Sequence, residues 1–187
     1  MKPAEQNIAI IALQDDAQDE LIAHLQRHFA ESGEHGFHFI PFDPKDDASP
    51  AGVSMEHTRI AVGEGPWQRW FVAQETATGA IIGHVNLKAY ALKTSAHRCL
   101  LGIGLEKRAR ALGLGRKLMQ TAIAFAQAQD GLSWLDLMVF GHNTPARTLY
   151  ESLGFVQTGI KTDCFRIGDT SIDDVYMSLP LRSGLPS

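Results

Sequence analysis

Cysteine is almost missing from this chain: Cys99 and Cys164 are the only two among 187 residues. Two thiols so far apart match no metal-binding spacing and cannot build a disulfide framework, so an apolar core must hold the fold. An excess of positive charge is missing too. Lysine and arginine number 17 against 21 acidic residues, a net charge of -4, which removes any general electrostatic reason to expect nucleic acid as a partner. Long hydrophobic runs are absent. No stretch approaches the roughly 20 apolar residues that a membrane span requires. The opening Met-Lys-Pro-Ala-Glu-Gln-Asn lacks the apolar segment of a secretory signal. The expectation is a cytoplasmic protein with no membrane partner. Repeats and low-complexity linkers are also lacking, so residues 1–187 read as one domain.

What is present is ordinary globular material, with 44% apolar and 20% charged residues. Residues 7–13 form a short apolar run that predicts a first strand. Asp15 then precedes Leu21, Ile22, Leu25 and Phe29 at helical spacing, ending near Gly33. The proline-rich stretch 34–50 reads as a loop, and 53–61 holds a weak helical signal. Residues 69–74 and 80–89 flank Thr-Ala-Thr-Gly and predict a hairpin. A strand over 99–105, with two glycines inside it, leads to the best helix, 113–129. Residues 134–140 make a near-continuous apolar strand, which implies burial on both faces. Thr144 before Pro145 starts another helix, Gly154 ends it, and 155–167 and 173–181 supply two final strands. Hairpins followed by strand–helix–strand–helix predict an α+β fold, a mixed, mostly antiparallel sheet with helices on both faces.

The turn before the best helix is Arg110-Ala111-Leu112-Gly113-Leu114-Gly115. Gly113 and Gly115 let the backbone fold tightly with amides directed inward. The helix that follows adds unpaired N–H groups and the positive end of its dipole, which suits a pyrophosphate. Arg108, Arg110, Arg116 and Lys117 gather cations there. A Rossmann fingerprint would need a glycine where Leu118 stands, and a P-loop would need Gly-Lys-Ser/Thr, so neither nucleotide motif is met. A plain loop with a glycine-started helix is the bland alternative.

Arg110-x-x-Gly113-x-Gly115 resembles the signature of the GNAT-type N-acetyltransferase family. A second stretch, Asn143-x-x-Ala146-x-x-Leu149-Tyr150-Glu151-x-x-Gly154-Phe155, is similar to that family's later motif, one strand downstream. The resemblance covers about residues 67–181 and implies a central strand pair that splays apart. It implies acetyl-CoA as cosubstrate, its pyrophosphate held by Arg110, Ala111, Leu112, Gly113, Leu114, Gly115 and Arg116. By position, the pantetheine arm would pair with Ile103, Gly104 and Leu105, and Asn143 would hydrogen-bond the arm or an ordered water. Residues 1–66 would form part of the acceptor side, and a homodimer is a further family habit.

The resemblance assigns Tyr150 as the acid that protonates the departing thiolate; taken alone, an aromatic on an apolar helix stripe is a core residue. The Leu105 N–H would stabilise the oxyanion, and an amine would attack directly. Freeing a lysine-like amine at pH 7 costs about 4.6 kcal/mol, an α-amine about 1.4 kcal/mol. Where the resemblance implies that some relatives carry a glutamate base, the matching positions of this chain are Met138 and Cys99. Glu106, His84 and His97 remain candidates for the base, each with a solvated or structural reading beside it, and a water chain competes with them.

His24 and His28 lie one helical turn apart, but without a third ligand they read as a solvated helix face, and no metal is expected. Asp43, Asp46 and Asp47 make the early loop acidic, which would favour a cationic amine or serve merely as solvated surface. The function expected is transfer of acetyl from acetyl-CoA to a primary amine, small or at a peptide N-terminus. The competing readings are a coenzyme-A-binding module without catalysis and another nucleotide-binding enzyme using the same turn.

Overall fold

The computed structural model describes residues 7–42 and 53–182; the acidic loop positions Asp43, Asp46 and Asp47 lie outside them. Seven strands form one sheet: β1 (Ile8–Ala12), β2 (Gln68–Glu75), β3 (Ile81–Ala89), β4 (Arg98–Leu105), β5 (Trp134–Phe140), β6 (Val156–Ile167) and β7 (Thr170–Pro180). Their order is β1-β2-β3-β4-β5-β7-β6. Every neighbouring pair runs antiparallel except β4 and β5. The expected α+β class, with a mostly antiparallel mixed sheet, is what the chain adopts.

Four α-helices accompany the sheet among the described residues: α1 (Gln18–Ala30), α2 (Met55–Thr58), α3 (Leu114–Gln127) and α4 (Thr144–Ser152). The α3 stripe Leu114, Leu118, Met119, Ala122 and Ala126 is buried, one face of a 3.6-residue period packed on β2, β3 and β4. On α4 the cap is Asn143 rather than Thr144: its Oδ1 accepts the Ala146 N–H at 3.3 Å, and Pro145 occupies the first turn, where a missing donor is harmless. The weak helix over 53–61 shrinks to one turn, and β7 begins three residues earlier than its apolar pattern indicated, because the β6–β7 hairpin continues into exposed Thr170 and Ser171.

The two sheet faces carry different helices. Leu105, Leu118 and Leu149 pack together around Gly83 and Gly115, which puts α3 and α4 beside odd-numbered β4 side chains. Even-numbered β4 positions face α1, since successive side chains of a strand alternate. The main core lies under α3 and includes Val85, Leu101, Leu118, Leu135, Val175 and Met177. A smaller cluster of Leu21, Leu25, Trp70, Val72 and Ile81 lies under α1.

Candidate active site

The feature that organises the site is a ladder that stops. β4 and β5 pair only from Arg98↔Trp134 to Leu101↔Leu137. Beyond that, β4 stays with β3 through Leu105↔Gly83, and β5 stays with β7 through Phe140↔Asp174. The strands therefore part between Gly102–Leu105 and Met138–Phe140. The Glu106 N–H donates to Ile82 C=O on β3, so alternation turns the main-chain groups of Leu105 and Ile103 away from β3, into the gap. The Leu105 carbonyl accepts from Arg110 Nε at 3.0 Å, which leaves the Leu105 N–H as a donor there.

The glycine turn follows directly. Arg110 is extended, Ala111 has φ 60, and Gly113 has φ 75 as the residue capping α3. Positive φ at Gly113 is free of Cβ strain, whereas Ala111 carries it. A Cβ on Gly115 would touch Leu105 and Leu149 at 3.4 Å each, so the end of β4, the start of α3 and the middle of α4 converge on one point. Tyr150 is the next α4 residue; it is 7% exposed in the main core, with its ring 6.1 Å from Phe155. Burial pushes its phenol above the ordinary range, so it is protonated at neutral pH.

The cation cluster expected around the turn is largely spoken for. Arg110 bonds Glu31 at 2.6 Å and lies over the Phe39 ring, and Arg108 pairs with Glu106 and Glu75. Lys107 pairs with Glu34. These pairs tie the β4–α3 connection to the end of α1 and to β2, so the turn itself presents backbone amides with Arg116 and Lys117. Arg116 reaches Ser152 on α4 at 2.8 Å.

On the α1 face the sequence reading is overturned. His24 and His28 are not a solvated helix face: they are 0% and 6% exposed, because α1 lays them directly on β3 and β4. His24 Nδ1 is 2.9 Å from Glu106 Oε1, and His24 Nε2 is 2.9 Å from His84 Nδ1. Glu106 also accepts from Arg27 and Arg108, both at 2.9 Å. Burial favours a neutral Glu106, yet hydrogen bonds from His24, Arg108 and Arg27 hold its carboxyl below the usual value. Burial lowers His24 and takes His84 well below the usual imidazole value; it also pushes His28 down to about 3. The His28 Nδ1 is buried without a partner among the described residues, and no group of three or more His, Cys, Asp or Glu there is arranged to hold a metal.

Two alternate glycines make room on this face, Gly104 for the His28 and His84 rings and Gly102 for the Asn86 amide. A Cβ on Gly104 would stand 2.5 Å from His28 Nε2 and 2.6 Å from His84 Cε1, and one on Gly102 would stand 2.6 Å from Asn86 Oδ1. The Leu-Gly-Ile-Gly-Leu pattern was the available signal, since glycine inside a strand marks a close approach. Nothing in linear spacing connected it to residues 24, 28 and 84. Residues 37–39 then cross this face. Phe39 stacks on His28 at 4.7 Å, Phe37 meets His142 at 5.1 Å, and His142 Nε2 lies 2.8 Å from the His38 carbonyl. That strap runs from the β4 side of the gap to the β5 side. On the same sheet face, further back along β4 and β5, a cavity of about 350 Å3 is lined by Tyr90, Arg98, Leu100, Met138 and Tyr176 among others. Its carboxylate, Asp136, is bound by Arg98, Tyr90 and Ser178.

Of the remaining base candidates, His97 is exposed. Cys99 is fully buried, its thiol pushed up to about 12 by burial, and Met138 has no ionisable group. Neither offers a carboxylate to the gap.

A parted parallel pair leading into a glycine turn at a helix start describes the acetyltransferase (GNAT) family, whose profile matches residues 34–155. The chain belongs to that family. It is similar to a GNAT-family acetyltransferase from Streptococcus pneumoniae, with 27% identity and a TM-score of 0.79 over 93% of this chain and 99% of that one. The same fold recurs in yncA from Salmonella typhimurium, solved with its cofactor acetyl-CoA. That pair shares 17% identity at TM-score 0.76, covering 97% of this chain and 98% of that one. A phosphinothricin acetyltransferase from Sinorhizobium meliloti, in complex with acetyl-CoA, shares 16% identity at TM-score 0.74, covering 95% and 90%. No helix among the described residues is long and apolar enough to cross a membrane.

Proposed function

We propose that this protein transfers the acetyl group of acetyl-CoA directly to a primary amine, either a small molecule or a peptide N-terminus. The observation that carries this reading is the gap between β4 and β5, with the amides of Ile103 and Leu105 facing it and the α3 turn at its mouth. An amide-bearing arm fits such a gap by completing the missing ladder, and the α3 start suits the pyrophosphate. In this reading Ile103, Gly104 and Leu105 hold the arm, and the backbone from Arg110 through Ala111, Leu112, Gly113, Leu114 and Gly115 to Arg116 holds the phosphates. Asn143 spends its carbonyl on capping α4, leaving its amide hydrogens to donate to the arm or to a water.

The amine lone pair attacks the thioester carbon, and the carbonyl oxygen takes up charge facing the Leu105 N–H. The attacking nitrogen gives up one proton, and the C–S bond breaks with its electron pair on sulfur, which receives a proton from Tyr150; the proton lost by nitrogen restores the phenol. Donor and acceptor are held on opposite faces of one gap, which removes much of the cost of bringing them together. On the acceptor side, the cavity beneath Met138 and Tyr176 and the strap of residues 37–39 would frame the amine. The Asp136 charge is already neutralised, so a mixed polar and apolar acceptor suits it better than a strongly cationic one.

A thiol-release assay with acetyl-CoA across polyamines, aminoglycosides, amino acids and short peptides tests the proposal. Release that depends on one amine class is the expected result. A second reading, a domain that binds coenzyme A without catalysis, is favoured by the lack of a carboxylate at Cys99 and Met138, on the two strands that flank the gap. Acetyl-CoA binding by calorimetry with no thiol release from any amine would establish it over the first.

A further inference from the structure

We propose that His84 is the general base of this transferase, with His24 and Glu106 as the positioning residues that aim it. The assignment rests on the acetyl-transfer reading above and supplies the base that reading lacks.

The tautomers follow from the hydrogen bonds. Glu106 accepts from Arg27 and Arg108, which identifies it as a carboxylate, so the 2.9 Å contact from His24 Nδ1 is an N–H donated to it. A neutral His24 then offers its Nε2 lone pair, and the 2.9 Å contact to His84 Nδ1 is an N–H donated by His84. That leaves His84 Nε2 bare, an acceptor that no described residue bonds. A carboxylate that orients one imidazole, which orients a second, repeats the logic of nucleophile–base–orienter systems with one added link.

Position agrees with that chemistry. His84 stands opposite Gly104 in the β3–β4 register, and its ring occupies the space a Gly104 side chain would take. Gly104 is next to Leu105, whose N–H faces the gap. The base is thus one residue from the oxyanion donor, on the face opposite α3, where the amine approaches. The groups around it are Trp70, at 5.6 Å between ring centroids, His28 at 5.9 Å, and Asn86 two positions along β3. Glu106 with Arg27 and Arg108 lies at the far end of the chain of contacts, and Arg110 with Glu31 lies beyond His28.

After the C–N bond forms, the nitrogen carries a positive charge and is far more acidic than the free ammonium. His84 Nε2 takes that proton, and the imidazolium is stabilised through His24 by the Glu106 charge. The C–S bond then breaks, Tyr150 protonates sulfur, and the imidazolium returns its proton through water to the tyrosinate, so protons balance. A weakly basic, buried imidazole suits this task, because it needs to capture the proton from the adduct and not from the resting amine.

Two measurements test the assignment on the full chain. With the best amine from the panel, H84Q should lower kcat about 100-fold while leaving the acetyl-CoA dissociation constant within about twofold. E106Q should lower kcat about 10-fold, since an amide still orients His24 but supplies no charge. In 15N-histidine NMR of the wild-type protein at pH 7, His84 should show a protonated Nδ1 and a bare Nε2. Full turnover by H84Q, or a protonated His84 Nε2, would overturn the assignment while leaving acetyl transfer standing. A wild-type protein that releases no thiol with any amine would overturn both. If H84Q does not fold, the tautomer measurement decides alone.

Discussion

The two faces of β4 are built on different principles. On the α3 face the site is made of backbone: amides in the gap, a glycine turn and a helix start, with Leu105, Gly115 and Leu149 packed around it. On the α1 face it is made of side chains drawn from three distant segments, His24 and His28 from α1, His84 from β3 and Glu106 after β4, with His28 and His84 fitted over Gly104. Backbone sites tolerate most changes of side chain and fail when a Cβ intrudes. Side-chain sites fail at each polar member, because a buried group left without its partner costs about 1–3 kcal/mol.

The largest break in this comparison should come from Gly104→Val, which changes only the α1 face. Its Cβ would meet two imidazole rings at or near 2.5 Å, so loss of about 2–4 kcal/mol of stability in urea melts is expected, with activity lost even where the fold survives. Stability within about 0.5 kcal/mol of wild type would refute the close packing. Tyr150→Phe tests the α3 side next. It should reduce kcat about 10- to 100-fold with little change in acetyl-CoA affinity, and unchanged turnover would remove Tyr150 from the acid role.

Acid stability separates the faces again, since the buried histidines lie on one of them. The folded His28 value near 3 is below the unfolded value near 6.5. Between those limits the unfolded chain binds more protons, so stability falls as pH drops through that window. The slope should reach about 1.4 kcal/mol per pH unit for each such histidine. His28→Phe should flatten the urea-derived profile by about one histidine's share; an unaltered slope would contradict the burial. The smallest effect belongs to the turn: Ala111→Gly relieves the positive φ and should raise stability by about 0.5–1 kcal/mol, with a lower melting temperature as the contrary result.

The same contrast explains what was legible in the sequence. The strands, α3, α4 and the turn from Arg110 to Gly115 announce themselves through local periodicity and glycine placement, because backbone-built features are encoded by consecutive residues. Tyr150 could be picked out as a candidate acid because its motif is also local. His24 and His28 were unreadable for the opposite reason. Their spacing suits a helix face of either kind, and only the packing of α1 onto Gly104 makes them interior. The ion pairs of Arg108 and Arg110 were likewise invisible in the linear chain, because their acidic partners Glu75 and Glu31 belong to other elements. The strap of residues 37–39 had no periodic signal at all, its place fixed by Phe39 on His28 and by His142.

The four-pair contact between β4 and β5 also has a mechanical meaning. It divides the sheet into two plates, β1–β4 and β5–β7, joined by main-chain bonds along a short hinge at one end and, at the other, only by the side chains and the strap of residues 37–39 that cross the gap. Any ligand that bonds to both free edges acts as a staple, so occupancy and stiffness become one variable. Such a plate-and-staple construction would couple cargo to stiffness, the gap closing its own missing ladder only through what fills it.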